Sequence, residues 1–293
     1  MQIIRQLTAL RERTKLIREG GRTLALVPTM GALHAGHMAL VELARRQADD
    51  VIVSIFVNPK QFGPNEDLDK YPRSEEADAA RLAEAGVTAL WMPSVAEVYP
   101  DGFATNVQVA GLGDLWCGAA RPGHFEGVAT VVAKLLNQVR PDIAIFGEKD
   151  WQQLAIIRRM ASDLDLDVEI MGMPIVRDPD GLALSSRNAY LSKTDRAVAL
   201  ALPNALKSAA RDICNGADVA TILASAQAGL LASGFTQVDY FALVDAASLE
   251  PLKTLDRTAR LLAAGRIGST RLIDNLAVEG RKDEKAQDAL TIC

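Results

Sequence analysis

The chain has 293 residues, 49% of them hydrophobic and 24% charged, with a formal net charge of -5 at pH 7. That is enough apolar material for a full core without disulfides or a structural metal, in one large domain or two smaller ones. The acidic balance and the lack of a long Lys/Arg run argue against binding to nucleic acid, and no apolar run approaches the length of a membrane span or a signal peptide core.

Apolar periodicity predicts an amphipathic helix over 3–18, stopped by Gly20-Gly21. A short apolar run over 23–27 reads as a buried parallel strand. It leads through Pro28-Thr29-Met30-Gly31 into a helix over 36–47, with Leu40, Leu43 and Ala44 on one face. VIVSIFV at 51–57 predicts a strand buried on both faces. Helices over 74–85, 127–139 and 151–162 then alternate with strands over 87–92, 143–146 and 168–171. This alternation predicts an α/β architecture: a Rossmann-like parallel sheet filling a first domain over 1–174. In such sheets the ligand crevice lies beyond the carboxyl ends of the strands, where three loops fall here: 28–37, 58–73 and 147–150.

After Met173-Pro174 the pattern changes. Residues 176–188 are rich in turn formers, and helices are expected over 193–214 and 218–232, with strands over 238–244, 259–264 and 270–273. They make a smaller α+β C-terminal lid domain over 175–293, whose last stretch, 279–293, is polar and expected to fray. Cys117, Cys214 and Cys293 are far apart and odd in number, forming neither a metal pattern nor a disulfide framework. They predict a reducing, cytoplasmic setting.

Five segments carry candidate chemistry. In PTMGALHAGH, at 28–37, Gly31 and Gly36 allow tight turns, and His34 and His37 share one face of a helical first turn. Imidazoles beside the open amides and positive end of a helix suit phosphate. Two of the chain's three histidines lie in this one turn, which favours phosphate handling over ordinary surface or core histidines. A zinc site lacks an evident third ligand. In NPKQFGPNEDLDKYPR, at 58–73, Asn58 and Gln61 are able to orient a substrate through their amides, though the segment also reads as a connecting loop. In GEKDWQQ, at 147–153, Lys149 offers a point charge for phosphate, Glu148 and Asp150 suit Mg²⁺ or a ribose, and Gln153 faces the same crevice. Asp150 equally suits a helix N-cap. LSSRN, at 184–188, sets Ser185 and Ser186 beside the planar donor fork of Arg187. RPGH, at 121–124, reads either as substrate contact through Arg121 and His124 or as a structural turn.

In this order and spacing, PTMGALHAGH, VNPKQF, RPGHF, FGEKDWQQL and LSSRN resemble the pantoate–β-alanine ligase (pantothenate synthetase) family, over residues 3–275. HxGH alone would point only to the wider nucleotidyltransferase and class I aminoacyl-tRNA synthetase superfamily. The resemblance implies ATP-dependent condensation of pantoate with β-alanine through a pantoyl adenylate, with release of pyrophosphate and AMP, assisted by Mg²⁺. It implies that His34 and His37 contact the ATP phosphates, His37 as proton donor. The nucleotide would be lined by Met30, Gly31, Ala32, Leu33, Ala35 and Gly36, by Gly147, Glu148, Lys149 and Asp150, and by Leu184. Lys149, Ser185, Ser186 and Arg187 would stabilise the transferring phosphoryl group, and Val176 would pack by the adenine. Gln61 and Gln153 would bind pantoate, with Asn58, Arg121 and His124 as further candidate contacts. The family is commonly dimeric. Trp116-Cys117-Gly118 and Gly265-Arg266-Ile267 depart from its expected pattern, away from the phosphate-handling residues. A different nucleotidyltransferase would share the histidines without requiring Gln61 and Gln153, and a silent nucleotide-binding regulator would bind ATP without turnover.

Overall fold

The computed structural model describes residues 1–64 and 66–279, so the fraying expected at 280–293 lies outside the described residues. The chain divides into two units, Met1–Ala189 and Tyr190–Cys293.

The first unit runs β1 (Gln2–Ile4), α1 (Leu7–Glu19), β2 (Leu24–Thr29), α2 (Ala35–Gln47), β3 (Asp50–Ile55), α3 (Glu75–Glu84), β4 (Ala89–Trp91), α4 (Val95–Val98), α5 (Cys117–Ala120), α6 (His124–Val139), β5 (Ile143–Gly147), α7 (Trp151–Asp163) and β6 (Glu169–Met173). Its six strands pair in the order β1-β4-β3-β2-β5-β6, all parallel. This is the α/β sheet that the alternation predicts. The whole of β3 is buried, as its continuous apolar run requires. Alternate residues of β2 face opposite ways: Ala25 and Val27 join a core with Leu40, Val41 and Ala44 of α2 and Leu82 of α3. On the other face α6 packs against α1 and β2. Its Gln138 accepts from the Trp91 indole of β4 at 3.2 Å, satisfying a donor that burial would otherwise leave unpaired.

The chain passes from β2 outward to β3 and β4, then returns to place β5 on the other side of β2. The strand order therefore reverses between β2 and β5, and the crevice of such a sheet opens beyond their carboxyl ends.

Three expectations need correction. Residues 2–4 form an edge strand in register with Ala89–Trp91, so the first helix starts at Leu7. Three residues are too few to show a period, and pairing overrides local propensity. The helix expected over 193–214 is two helices meeting at Leu200, because Pro203 lacks an N–H and its ring crowds the carbonyl four residues earlier, at 199. The boundary expected at 174/175 falls at Ala189/Tyr190. Residues 176–184 fold back on themselves, with Leu184 N donating to Val176 O at 3.0 Å, and Arg187 and Ser186 bond to Asp67 and Tyr71 of the first unit.

The second unit contains α8 (Lys193–Ala199), α9 (Ala201–Cys214), α10 (Val219–Ala232) and the strands β7 (Gln237–Asp245), β8 (Ala259–Ile267) and β9 (Thr270–Val278). The strands form an antiparallel sheet in chain order, against which α9 and α10 pack, giving the expected α+β class. Asp218 caps α10 by accepting from Thr221 N at 2.8 Å.

Gly127 of α6 closely approaches the turn that carries Gln61. A Cβ there would stand 2.2 Å from the Lys60 carbonyl oxygen and 2.8 Å from Gln61 N. Gly127→Ala should therefore lower unfolding stability by ~1–3 kcal/mol, the range for overpacking. Urea melts should show a lower midpoint at unchanged slope, whereas an unchanged midpoint would contradict the close approach.

Candidate active site

One cavity opens at the carboxyl ends of β2 and β5, the place where the strand order reverses, and every residue on its wall belongs to the first unit. Pro28, Thr29 and Met30 leave β2 into it, and Phe146 and Gly147 leave β5. Along α6 it is floored by Val128, Val131, Val132 and Leu135, the one-sided stripe that helical spacing produces. The polar wall carries His34, His37, Gln61, Lys149, Asp150, Gln153, Ser185, Ser186 and Arg187, uniting four of the segments singled out in the sequence.

The paired histidines cap α2 by an unusual route. His34 is the N-cap residue, and its Nδ1 accepts from Gly36 N at 3.1 Å. His37 Nδ1 accepts from His34 N at 3.3 Å, completing a reciprocal capping box. The rings lie with centroids 4.1 Å apart. The open amides expected to meet phosphate at this helix end are thus in part occupied, and the imidazoles take their place. An Nδ1 that accepts a bond must lack a proton, so each neutral ring carries its proton on Nε2. Burial, then the neighbouring His34, lowers the His37 pKa to about 3. Burial and the Lys149 charge lower that of His34. Both rings are therefore neutral donors at pH 7. Gly36 has to be glycine for this cap, since a Cβ would stand 2.9 Å from the His34 ring.

Gln61 sits on a 3-10 turn, Pro59–Gln61, after β3. Its side-chain oxygen accepts from Asn58 Nδ2 at 3.1 Å, and its Nε2 lies 3.0 Å from the Met30 sulfur. Asn58 stands directly behind Gln61. It is buried, and its amide also donates to Gly127 O and accepts from Lys60 N and the Tyr99 hydroxyl. The RPGH segment supports the same residue from the other side. Arg121 Nη2 and His124 Nδ1 both donate to the Gln61 carbonyl, at 3.2 and 2.8 Å, while His124 Nε2 accepts from Arg121. Arg121 also pairs with Glu66. Arg121 and His124 thus fix a turn, and both also line the cavity.

Arg187 forms a bidentate pair with Asp67, at 3.1 and 2.9 Å, and Ser186 meets the Tyr71 hydroxyl at 3.3 Å. Asp150 occupies the N-cap position of α7 without making a side-chain cap bond, and its residue lines the cavity beside Lys149. The Glu148 stem lies against Gly172, Gly31 and Leu33 are buried at the turn into α2, with Leu33 in the sheet-face core, and Ala35 is exposed. Val176 and Leu184 do line the cavity. Asp67, Tyr71 and Asp78 were not singled out by sequence reasoning. Only the position of the first two, in a loop after a buried strand, hinted at them. Among the described residues no group of three or more His, Cys, Asp or Glu is arranged to hold a metal, and no helix is long and apolar enough to cross a membrane.

A family model described as pantoate-beta-alanine ligase matches residues 2–277. A pantothenate synthetase of Sphingopyxis alaskensis is 64% identical over 278 residues, covering 95% of this chain and all of the relative. A crystal structure of pantothenate synthetase from Thermus thermophilus superposes with a TM-score of 0.90 at 49% identity, covering 95% of this chain and 100% of the other. A Francisella tularensis pantoate-beta-alanine ligase, solved in complex with beta-gamma ATP and beta-alanine, gives a TM-score of 0.80 at 34% identity, covering 94% and 97%.

Burial also lowers the His124 pKa, to about 4, so His37 and His124 are both neutral when folded while the unfolded chain titrates near 6.5. As pH falls below 6.5 the unfolded state takes up protons first, and stability drops by ~1.4 kcal/mol per pH unit for each ring until its folded pKa is reached. Urea unfolding of the His124→Gln variant between pH 6 and 4.5 should therefore show a slope with pH shallower by ~1.4 kcal/mol per unit than the unsubstituted protein. Equal slopes would contradict a neutral, buried His124.

Proposed function

The chain belongs to the pantoate–β-alanine ligase family and catalyses ATP-dependent condensation of pantoate with β-alanine, and from that premise we propose that its histidine-capped cavity carries both half-reactions. The observation that carries this reading is the pair of neutral imidazoles, each with Nδ1 engaged by a backbone amide and the Nε2 proton available to a ligand.

A pantoate carboxylate oxygen attacks the α-phosphorus of ATP. The bond to the bridging oxygen breaks, and pyrophosphate leaves. Charge grows on the phosphate oxygens as this happens, and His34, His37, Lys149, Ser185, Ser186 and Arg187 are the hydrogen-bond donors around it, His37 through its Nε2–H. Arg187 exchanges its Asp67 carboxylate for a phosphate, keeping an anionic partner throughout. The amine of β-alanine then attacks the acyl carbon of the pantoyl adenylate and AMP leaves. Gln61 and Gln153 orient pantoate, and the apolar α6 stripe accepts its branched carbon chain. Val176 and Leu184 take the nucleotide base side. No nucleophile or strong base from the protein is required, since substrate supplies the carboxylate and alignment supplies the rest.

Mg²⁺ fits the donor set. Asp150 stands at the cavity without capping α7, and one carboxylate with triphosphate oxygens suits a cation that keeps several waters. When bound, it would neutralise charge on the phosphates. A reducing cytoplasmic setting is supported by three cysteines too scattered and odd in number for a disulfide framework, and a homodimer is supported by the family resemblance.

His37→Ala and Lys149→Ala should each slow single-turnover adenylation by ~10²-fold or more while changing pantoate KM little, because their contacts strengthen in the transition state. Unchanged adenylation in either variant contradicts its role. ATP–pyrophosphate exchange should require pantoate. Exchange that proceeds without it, and is indifferent to its addition, would favour another nucleotidyltransferase.

A further inference from the structure

The turn between β2 and α2 is held in a conformation that it would not keep alone. Gly31 and Ala32 both take positive φ, 86° and 51°. The second carries a Cβ, so this conformation is strained and persists only where its surroundings enforce it. The enforcement comes from α3. Asp78, buried to 1% exposure, accepts from Ala32 N at 2.8 Å and from Leu33 N at 2.9 Å, one bond to each carboxylate oxygen. Ser74 Oγ donates to the same carboxylate at 3.1 Å. One helical turn on, Arg81 donates to the Leu33 carbonyl. Two consecutive amides and a carbonyl are thus clamped from a single helix, and the next residue is His34.

We propose that Asp78, assisted by Arg81, is the positioning residue of the paired histidines: it fixes the turn that starts α2, and so sets where both Nε2 donors point. The inference rests on the reading of His34 and His37 as phosphate donors. Asp78 acts through geometry. The groups that shift the two rings electrostatically are Lys149 and Asp178 for His34, and His34, Asp150 and Lys149 for His37, with Asp78 in neither set. Asn in its place keeps the shape but offers one acceptor oxygen and one amide NH2 donor, and that donor would confront a backbone N–H. The turn then loses one of its two anchors, Ala32 relaxes, and the capping box loosens.

The test is Asp78→Asn in the full chain, with His37→Ala as reference. Asp78→Asn should slow single-turnover adenylation by ~10–100-fold, the scale for a displaced donor, with pantoate KM within ~3-fold. With three histidines in the chain, ¹H–¹⁵N imidazole spectra resolve each ring. His34 and His37 should show the single Nε2–H tautomer in the unsubstituted protein and a tautomer mixture in the variant. A purely structural Asp78 would lower the melting temperature and leave these signals alone. A folded variant with unaltered rate and tautomers overturns the proposal. If Asp78→Asn does not fold, Arg81→Met, which removes only the carbonyl contact, should still slow adenylation by ~3–10-fold, and an unchanged rate there overturns it instead. A normal rate in His37→Ala would sink the phosphate-donor reading itself, whereas a slow His37→Ala beside a normal Asp78→Asn sinks only the positioning role.

Discussion

Two backbone amides donate into imidazole nitrogens at the start of α2, Gly36 N to His34 and His34 N to His37. Much of the site depends on these bonds. A helix start leaves amides without partners, and most proteins fill the gap with a hydroxyl or carboxylate. An imidazole does the same with one nitrogen and keeps the other. The cap therefore fixes the tautomer, burial fixes the neutral charge, and together they turn a helix terminus into two directed proton-bearing donors. Protonating either ring at Nδ1 would break the bond that holds it. The low pKa values are thus a condition of the geometry as well as a consequence of burial.

The arginines show a complementary constraint. Arg121 and Arg187 come from different segments, yet each is held by a carboxylate of the same loop, Glu66 for one and Asp67 for the other. A half-buried guanidinium needs an anionic partner, since leaving it unpaired is costly. The two pairs differ in their remaining contacts. Arg121 is also tied to His124 and the Gln61 carbonyl, so it belongs to a rigid support. Arg187 has a simpler fork–fork contact, a geometry that a phosphate reproduces.

The sheet and the location of the site were legible in the chain because both follow from periodicity. Buried strands such as 50–55 announce themselves by a continuous apolar run, and a parallel sheet places its crevice by topology. The paired histidines, Lys149 and LSSRN were legible by residue type and spacing. Asp78 was not, because an aspartate in the first turn of a helix looks like ordinary dipole compensation, and its partners lie far back in the chain. Gly127 looks like a mild helix weakness, yet the chain needs it so that Lys60 and Gln61 can approach. Asn58 reads as a ligand because amides bind ligands. It is also a buried brace for Gln61, a role that only tertiary packing reveals. The helix break at Leu200 is present in the sequence as Pro203 and is outweighed there by the surrounding periodicity.

The choice of amides at Gln61 and Gln153 has its own logic under the proposed reading. Pantoate's carboxylate must be held and must also attack. A guanidinium in a bidentate pair would hold it more tightly, but that energy is present before the reaction and fades as the oxygen's charge passes into the new bond to phosphorus. A neutral amide orients the same group at a smaller ground-state penalty. The cationic groups, Lys149 and Arg187, stand with the histidines on the polar wall, where charge accumulates on the phosphates as the bond to pyrophosphate breaks. Arg121, which touches the Gln61 carbonyl, is paired with Glu66 and directed at that backbone oxygen. The division of neutral and charged donors along one cavity therefore follows the direction in which negative charge moves.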